Sequence, residues 1–243
     1  MSARKSLPTL GRLFTVVAAA VAVVGVVDCS TFVSTARNGT LDGTVSSRAF
    51  SAASSRGGPT LGEIMSAATG TYIDRLLADR DSILERWPNH LTEPLRIWID
   101  SSATIDGEQA AFPAAVRAAF TQWAATGIPL RLLYVASPGD ANIRVRWTDH
   151  LSRKTGSTTW RTDRAGDLTS GDITLATHIS DGHALDSRGM RAIALHEVGH
   201  ALGLSHSLDA RDIMAPLVRV DGLSDADRGT IRLLYSLHAG PVQ

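Results

Sequence analysis

Residues 191–216, RAIALHEVGHALGLSHSLDARDIMAP, constrain this chain more than any other stretch. They contain His196 and His200, four positions apart, with Glu197 directly after the first histidine. Residues four apart on a helix lie one above the other on the same face. The spacing therefore predicts a helix on which two imidazoles can bind one ion, with a carboxylate beside them.

Gly203 and His206 extend this pattern beyond the helix. Glycine adopts a left-handed backbone readily, so Gly203 can end the helix and turn the chain back sharply. The turn would bring His206 to the ion as a third nitrogen ligand. Three histidines suit zinc and leave a fourth position for water, which is the arrangement of catalytic zinc sites. Glu197 is then placed to act on that water without binding the metal itself.

The motif HEVGHALGLSH resembles the zinc motif of the metzincin peptidases, H-E-x-x-H-x-x-G-x-x-H, at every fixed position. Met214, within residues 212–216, resembles the methionine of the turn that lies beneath the zinc in that clan. Within the clan the chain looks most like the matrixins, over residues 94–238. The resemblance implies an α+β fold: a zincin-like domain with a twisted mixed sheet, a helix in its N-terminal half, a zinc-binding active-site helix and a C-terminal helix after the Met-turn.

This resemblance also implies a function, that of an exported zinc-dependent endopeptidase. His196, His200 and His206 would bind one catalytic zinc, and Glu197 would be the general base for the zinc-activated water. Two alternatives stay open. One is a non-catalytic zinc-bearing surface or binding domain, which the presence of Glu197 disfavours. The other is zinc-dependent hydrolysis of a substrate other than protein.

The N-terminus reads as an export segment, residues 1–36. Arg4, Lys5 and Arg12 precede an apolar run over residues 13–27, which is long for a signal peptide and short for a membrane span. A cleaved signal peptide and a retained membrane anchor are therefore both open, and lipidation at Cys29 is a third alternative. The expected location is secreted or extracytoplasmic, with contact to a membrane only through this segment.

The rest of the chain divides into three parts. Residues 37–60 are rich in Ser, Gly, Thr and Arg and predict a flexible linker. Residues 61–93 show helical periodicity and predict one or two helices that pack on the domain or, alternatively, a removable pro-segment. Residues 94–243 form the predicted matrixin-like metallopeptidase domain.

Alternating and amphipathic patterns place the elements of that domain. Strands are predicted over residues 94–100, 130–135, 141–147, 156–161 and 172–178, with a helix over 113–125 and another from 223 to 235. By resemblance, the strand over 156–161 should be the edge strand along which a peptide substrate binds as an added strand. The zinc helix should begin near Asp186, whose side chain can cap free N–H groups.

Other partners and ions have little support in the sequence. Lys+Arg and Asp+Glu each number 24, and no basic cluster indicates nucleic acid. Asp163, Asp167 and Asp172 lack regular calcium-ligand spacing, so calcium stays open and unsupported. We expect a monomer that acts on a protein or peptide substrate, with no structural zinc.

Overall fold

The computed structural model describes residues 23–28, 60–101, 110–179 and 182–243, and these form a mixed sheet with helices packed against it. The strand order of the main sheet is β1-β6-β7-β5-β3-β4, and β2 pairs separately with β8. The pairs β3–β4, β3–β5 and β5–β7 are parallel, whereas β6 is antiparallel to β7 and β1. The strands are β1 (Val23–Asp28), β2 (Ile83–Leu84), β3 (His90–Ile99), β4 (Leu130–Tyr134), β5 (Ile143–Thr148), β6 (Gly156–Thr162), β7 (Leu168–Ala176) and β8 (Gly240–Pro241).

Five α-helices lie within the described ranges: α1 (Leu61–Ala67), α2 (Ile73–Asp79), α3 (Phe112–Ala124), α4 (Ser187–Ala201) and α5 (Asp225–Ser236). Helix α3 packs on α4 and β4, and α4 packs on β6 and β7. Val116, Phe120 and Trp123 of α3 are buried, as their helical spacing predicted. The α+β architecture with a mixed sheet is confirmed.

Most predicted strands are present with shifted ends. Leu95, Ile97 and Ile99 of β3 are buried on one face, as their alternation predicted. Strand β7 begins at Leu168 instead of 172, because the connection from β6 is a tight turn. In that turn Asp163 Oδ1 accepts hydrogen bonds from the backbone N–H groups of Ala165 and Asp167. The turn therefore needs fewer residues than the polar stretch suggested.

The prediction that β6 lies at the sheet edge is wrong for this structure. Val23–Asp28 pairs antiparallel with the outer side of β6, from Val23 opposite Thr162 to Asp28 opposite Ser157. An edge strand presents unpaired N–H and C=O groups, and a valine-rich segment readily adds to such an edge. These residues belong to the predicted export segment. The described residues do not include the rest of that segment, with Cys29, or residues 37–59 of the predicted linker.

No helix among the described residues is long and apolar enough to cross a membrane. The predicted helical segment begins at Thr60, which forms a capping box with Glu63 at the start of α1. Its apolar side chains belong to the same core as the sheet and the later helices. Ile64, Ile73 and Leu76 are fully buried there. The segment thus packs against the sheet and the later helices.

Candidate metal centre

Helix α4 carries the first two predicted metal ligands. It begins as expected at Asp186, whose carboxylate accepts a hydrogen bond from the Gly189 N–H at 2.6 Å. Two carbonyls at the other end of the helix also have side-chain partners. Trp87 Nε1 donates to Ala201 O at 2.8 Å, and the Tyr235 hydroxyl donates to Leu202 O at 3.0 Å. Because terminal carbonyls have no partner within a helix, these contacts fix where α4 ends.

The three predicted histidines converge at one point. His200 Nε2 lies 2.9 Å from His196 Nε2 and 3.2 Å from His206 Nε2. His196 and His200 are fully buried, and His206 is partly buried. Within the part of the chain that the structure describes, this is the only group of three or more His, Cys, Asp or Glu residues that could hold a metal ion.

The second nitrogens of two ligands identify the tautomer. His196 Nδ1 lies 2.6 Å from Ile213 O, and His200 Nδ1 lies 2.8 Å from Leu204 O. A carbonyl can only accept, so in each neutral ring Nδ1 carries the proton and Nε2 keeps its lone pair. Lone pairs that face each other at this distance repel unless a cation lies between them. The donor set therefore fits a zinc ion bound through Nε2.

Burial keeps the ligands neutral. It lowers the pKa of His196 to about 3 and that of His200 well below the usual value. It also lowers the pKa of His206, although the negative charge of the neighbouring Asp79 acts in the opposite direction and raises this pKa. Neutral imidazole is the metal-binding form, so these shifts reduce competition from protons at neutral pH.

Gly203 turns the chain towards His206, as predicted. Its φ is +105°, in the region that favours glycine, and its N–H donates to His200 O at 2.9 Å. The turn is also crowded, because a Cβ at Gly203 would lie 2.4 Å from Glu85 O. Both the backbone angle and the close approach therefore require glycine here.

Glu197 is fully buried beside the histidines. The Thr158 hydroxyl of β6 donates to Glu197 Oε2 at 2.6 Å and lies 3.1 Å from the Glu197 carbonyl oxygen. A Cβ at Gly156 would lie 2.3 Å from Glu197 Oε1, so the backbone of β6 approaches the carboxylate closely. Sequence reasoning missed both β6 residues. The glycine that opens an otherwise β-prone strand was the one available signal.

Met214 lies buried beneath the zinc helix, as the resemblance implied. A Cβ at Gly199 would lie 2.4 Å from Met214 Sδ and 3.0 Å from Cζ2 of Trp123. Gly199 was not singled out from the sequence, although it stands between the two helical ligands. Its missing side chain allows Met214 and Trp123 to pack directly against the helix.

Two of the three aspartates considered for calcium hold other groups in this structure. Asp163 caps the β6–β7 turn, and both carboxylate oxygens of Asp172 accept from Arg144 at 2.8 Å. Arg146 also donates to Asp172, at 2.7 Å. The resulting ion pairs hold the pKa of Asp172 below its usual value.

Comparisons with known proteins agree with this geometry. The matrixin family model of peptidases matches residues 89–236, which is more than half of the chain. Metalloendoproteinase 1 of Glycine max is 39% identical over 75 residues. The match covers 29% of this chain and 23% of that relative, so this chain spans only a minor part of the relative's length.

Proposed function

Because the chain belongs to the matrixin family of peptidases, we propose that it is an exported zinc endopeptidase. The observation that carries this proposal is the convergence of three neutral imidazoles beside a buried carboxylate. His196, His200 and His206 would hold the zinc. When bound there, zinc acts as a Lewis acid that makes hydroxide available at neutral pH and polarises a carbonyl.

The protein's own contribution to the reaction is a positioned base. We assign Glu197 as the group that accepts the proton of the attacking water and delivers it to the leaving amine. The hydrogen bond from Thr158 holds Oε2, which leaves the carboxylate with one preferred orientation. Burial excludes bulk water, so this orientation is set before a substrate arrives.

The substrate we propose is an extended peptide bound along the outer side of β6. Val23–Asp28 occupies that side as an antiparallel strand, which supports the capacity of β6 to take an added strand. Main-chain hydrogen bonds to β6 would tolerate many side chains, the general mode of β-augmentation. Signal cleavage after Ala36 would remove β1 and free this side for substrate.

The principal alternative is a zinc-bearing domain without turnover. The same histidines would then serve only to hold the metal. The buried Glu197 argues against it, because a carboxylate placed away from water costs free energy and serves no ligand role in such a site. The orienting contact from Thr158 argues in the same direction.

The test takes residues 37–243, which lack β1, as the parent and compares them with the Glu197→Gln variant of the same length, on zinc content and on cleavage of a mixed peptide library. Glu93→Gln, an exposed position, is the matched control. We expect one zinc in all three proteins, and cleavage only in the parent and the control. Cleavage by Glu197→Gln at the parental rate would contradict the base assignment. Zinc without cleavage in any of them would favour the non-catalytic domain.

Export has its own test. We propose that the apolar run over residues 13–27 directs the chain out of the cytoplasm. Fractionation of the producing cells, with mass spectrometry of the mature N-terminus, should find the protein outside the cytoplasm. A full-length chain confined to the cytoplasm would refute this part.

A further inference from the structure

We propose that residues 60–87 are a permanent part of the zinc site that orients two of its ligands. This inference rests on the proposed function, because it concerns how that site holds its metal. The residues that carry it are Tyr72 and Arg80, and each lies on a chain of contacts that ends at a ligand histidine. Both act as positioning residues, since neither touches the metal position or the substrate.

The first chain of contacts runs from Tyr72 to His196. The Tyr72 hydroxyl donates to Asp227 Oδ1 at 2.9 Å, and Asp227 Oδ2 accepts from the Ile213 N–H at 2.9 Å. Ile213 O is the acceptor for His196 Nδ1. Asp227 is fully buried and Tyr72 nearly so, and the Tyr72 N–H also donates to Thr230 at 3.0 Å. The residue whose carbonyl orients the first ligand is thus held through its own N–H by Asp227, which the N-cap residue of α2 holds in turn.

The second chain of contacts runs from Arg80 to His200. Arg80 Nη2 lies 3.4 Å from Leu204 O, the same carbonyl that accepts from His200 Nδ1. Its other terminal nitrogen, Nη1, donates to Glu85 Oε2 at 2.9 Å, and Trp160 Nε1 donates to that oxygen at 2.9 Å. The guanidinium lies 4.7 Å from the Trp160 ring centre. The Arg80 side chain is only 7% exposed, so the pair is held rigidly inside the protein.

These contacts matter because a metal-bound imidazole is oriented by the partner of its other nitrogen. That partner fixes the ring plane and the tautomer, and its loss typically weakens metal binding about 10–100-fold. Removal of residues 60–87 would also leave Asp227 buried without one of its donors. It would take Ile64, Ile73 and Leu76 out of the core and expose the apolar side chains that they cover. The segment is therefore retained in the active enzyme and is not a removable pro-segment.

The experiment measures zinc affinity of the full chain by competition with a chelator, and the visible absorption spectrum of its cobalt-substituted form. Tyr72→Phe removes one hydroxyl. The double variant Arg80→Met with Glu85→Gln removes the second chain without leaving a buried charge alone. Arg232→Met is the matched control, because Arg232 is an exposed arginine on α5, the helix that also carries Asp227. Near-ultraviolet circular dichroism identifies conditions in which every protein is folded.

We expect each test variant to bind zinc up to about tenfold more weakly and to change the cobalt spectrum, because each acts on the carbonyl partner of a ligand and leaves that carbonyl in place. The Arg232→Met control should match the parent in both. Parental affinity and spectrum in folded Tyr72→Phe would overturn the inference. So would an active species whose mass shows cleavage between residues 60 and 88. A parent that binds no zinc would instead refute the proposed function, so the two failures are distinguishable.

Discussion

Replacement of Gly203 by alanine tests the turn that brings the third ligand to the site. Gly203 has φ +105°, and a Cβ there would lie 2.4 Å from Glu85 O. Gly127 has a similar φ of +93° but nothing within 4 Å of the same added atom. The two glycines therefore share the backbone strain, and only Gly203 adds a clash with backbone.

The expected losses in the free energy of unfolding follow from that difference between the two glycines. A non-glycine residue in this region costs of the order of 1–3 kcal/mol, which is the whole effect expected for Gly127→Ala. The clash at Gly203 must displace Glu85 or the turn, and overpacking of this kind adds about 1–3 kcal/mol. We expect Gly203→Ala to cost about 2–6 kcal/mol in total.

Urea unfolding of both variants, without added zinc, measures these costs. Each kcal/mol should also lower Tm by about 2–4 °C in a chain of this size. Gly203→Ala should in addition weaken zinc binding, because the displaced turn carries His206, whereas Gly127→Ala should not. Equal destabilisation by the two substitutions would refute the close contact between Glu85 and the turn.

Three further predictions concern the site itself. For three ligands of ordinary pKa, acidification from pH 7.5 to 5.5 would weaken zinc binding about a thousandfold. Because burial lowers the pKa of all three histidines, chelator competition should show that zinc affinity falls less than about tenfold over this pH range. A thousandfold fall in affinity would contradict the lowered pKa values. Gly199→Ala should lower the free energy of unfolding by about 1–3 kcal/mol, because Met214 and Trp123 fill the space that the added methyl group needs. This cost should exceed the gain from the better helix propensity of alanine. An unchanged urea midpoint would refute that packing. Thr158→Val should keep zinc and lower kcat about tenfold, which is the effect of one lost hydrogen bond to a charged group. An unchanged kcat would show that Thr158 does not hold Glu197 for the reaction.

The free energy of unfolding of the metal-free protein should also decrease as the pH falls. Its His196 has a pKa of about 3 when folded and an ordinary value when unfolded. The folded protein therefore has its full stability above pH 6.5, where His196 is neutral in both states. Part of this stability is lost as the pH falls from 6.5 towards 3, because only the unfolded state then binds the proton. For His196 alone the loss by pH 4 is about 3 kcal/mol. Replacement of His196 by Gln should remove this part of the pH dependence in urea titrations.

The histidine cluster could be predicted from the sequence because its geometry is local. His196 and His200 share a helix face by spacing alone, and the positive φ of Gly203 follows from the need to end that helix. The caps at Asp186 and Ser224 are also local, since each side chain reaches an N–H three residues on. Such features depend on short stretches of chain and little on the rest of the fold.

The residues that were missed act over long distances in the sequence. Thr158 contacts Glu197 across 39 positions, and Arg80 reaches Leu204 across 124. Nothing in a strand such as GSTTWRT distinguishes a threonine that faces a carboxylate from one that faces solvent. The start of β7 was missed for a related reason, because its polar residues 169–171 resemble a loop until their pairing partners are known.

The central claim is that three histidines hold one zinc with an open position beside Glu197. Zinc X-ray absorption spectroscopy of the full chain, combined with elemental analysis, tests it most directly. We expect one zinc per chain with three imidazole nitrogens at about 2.0–2.1 Å and one oxygen ligand from water. Loss of zinc should follow replacement of His196, His200 or His206. No zinc in the parent chain, or a first shell that keeps its three nitrogens after one of these replacements, would contradict the account.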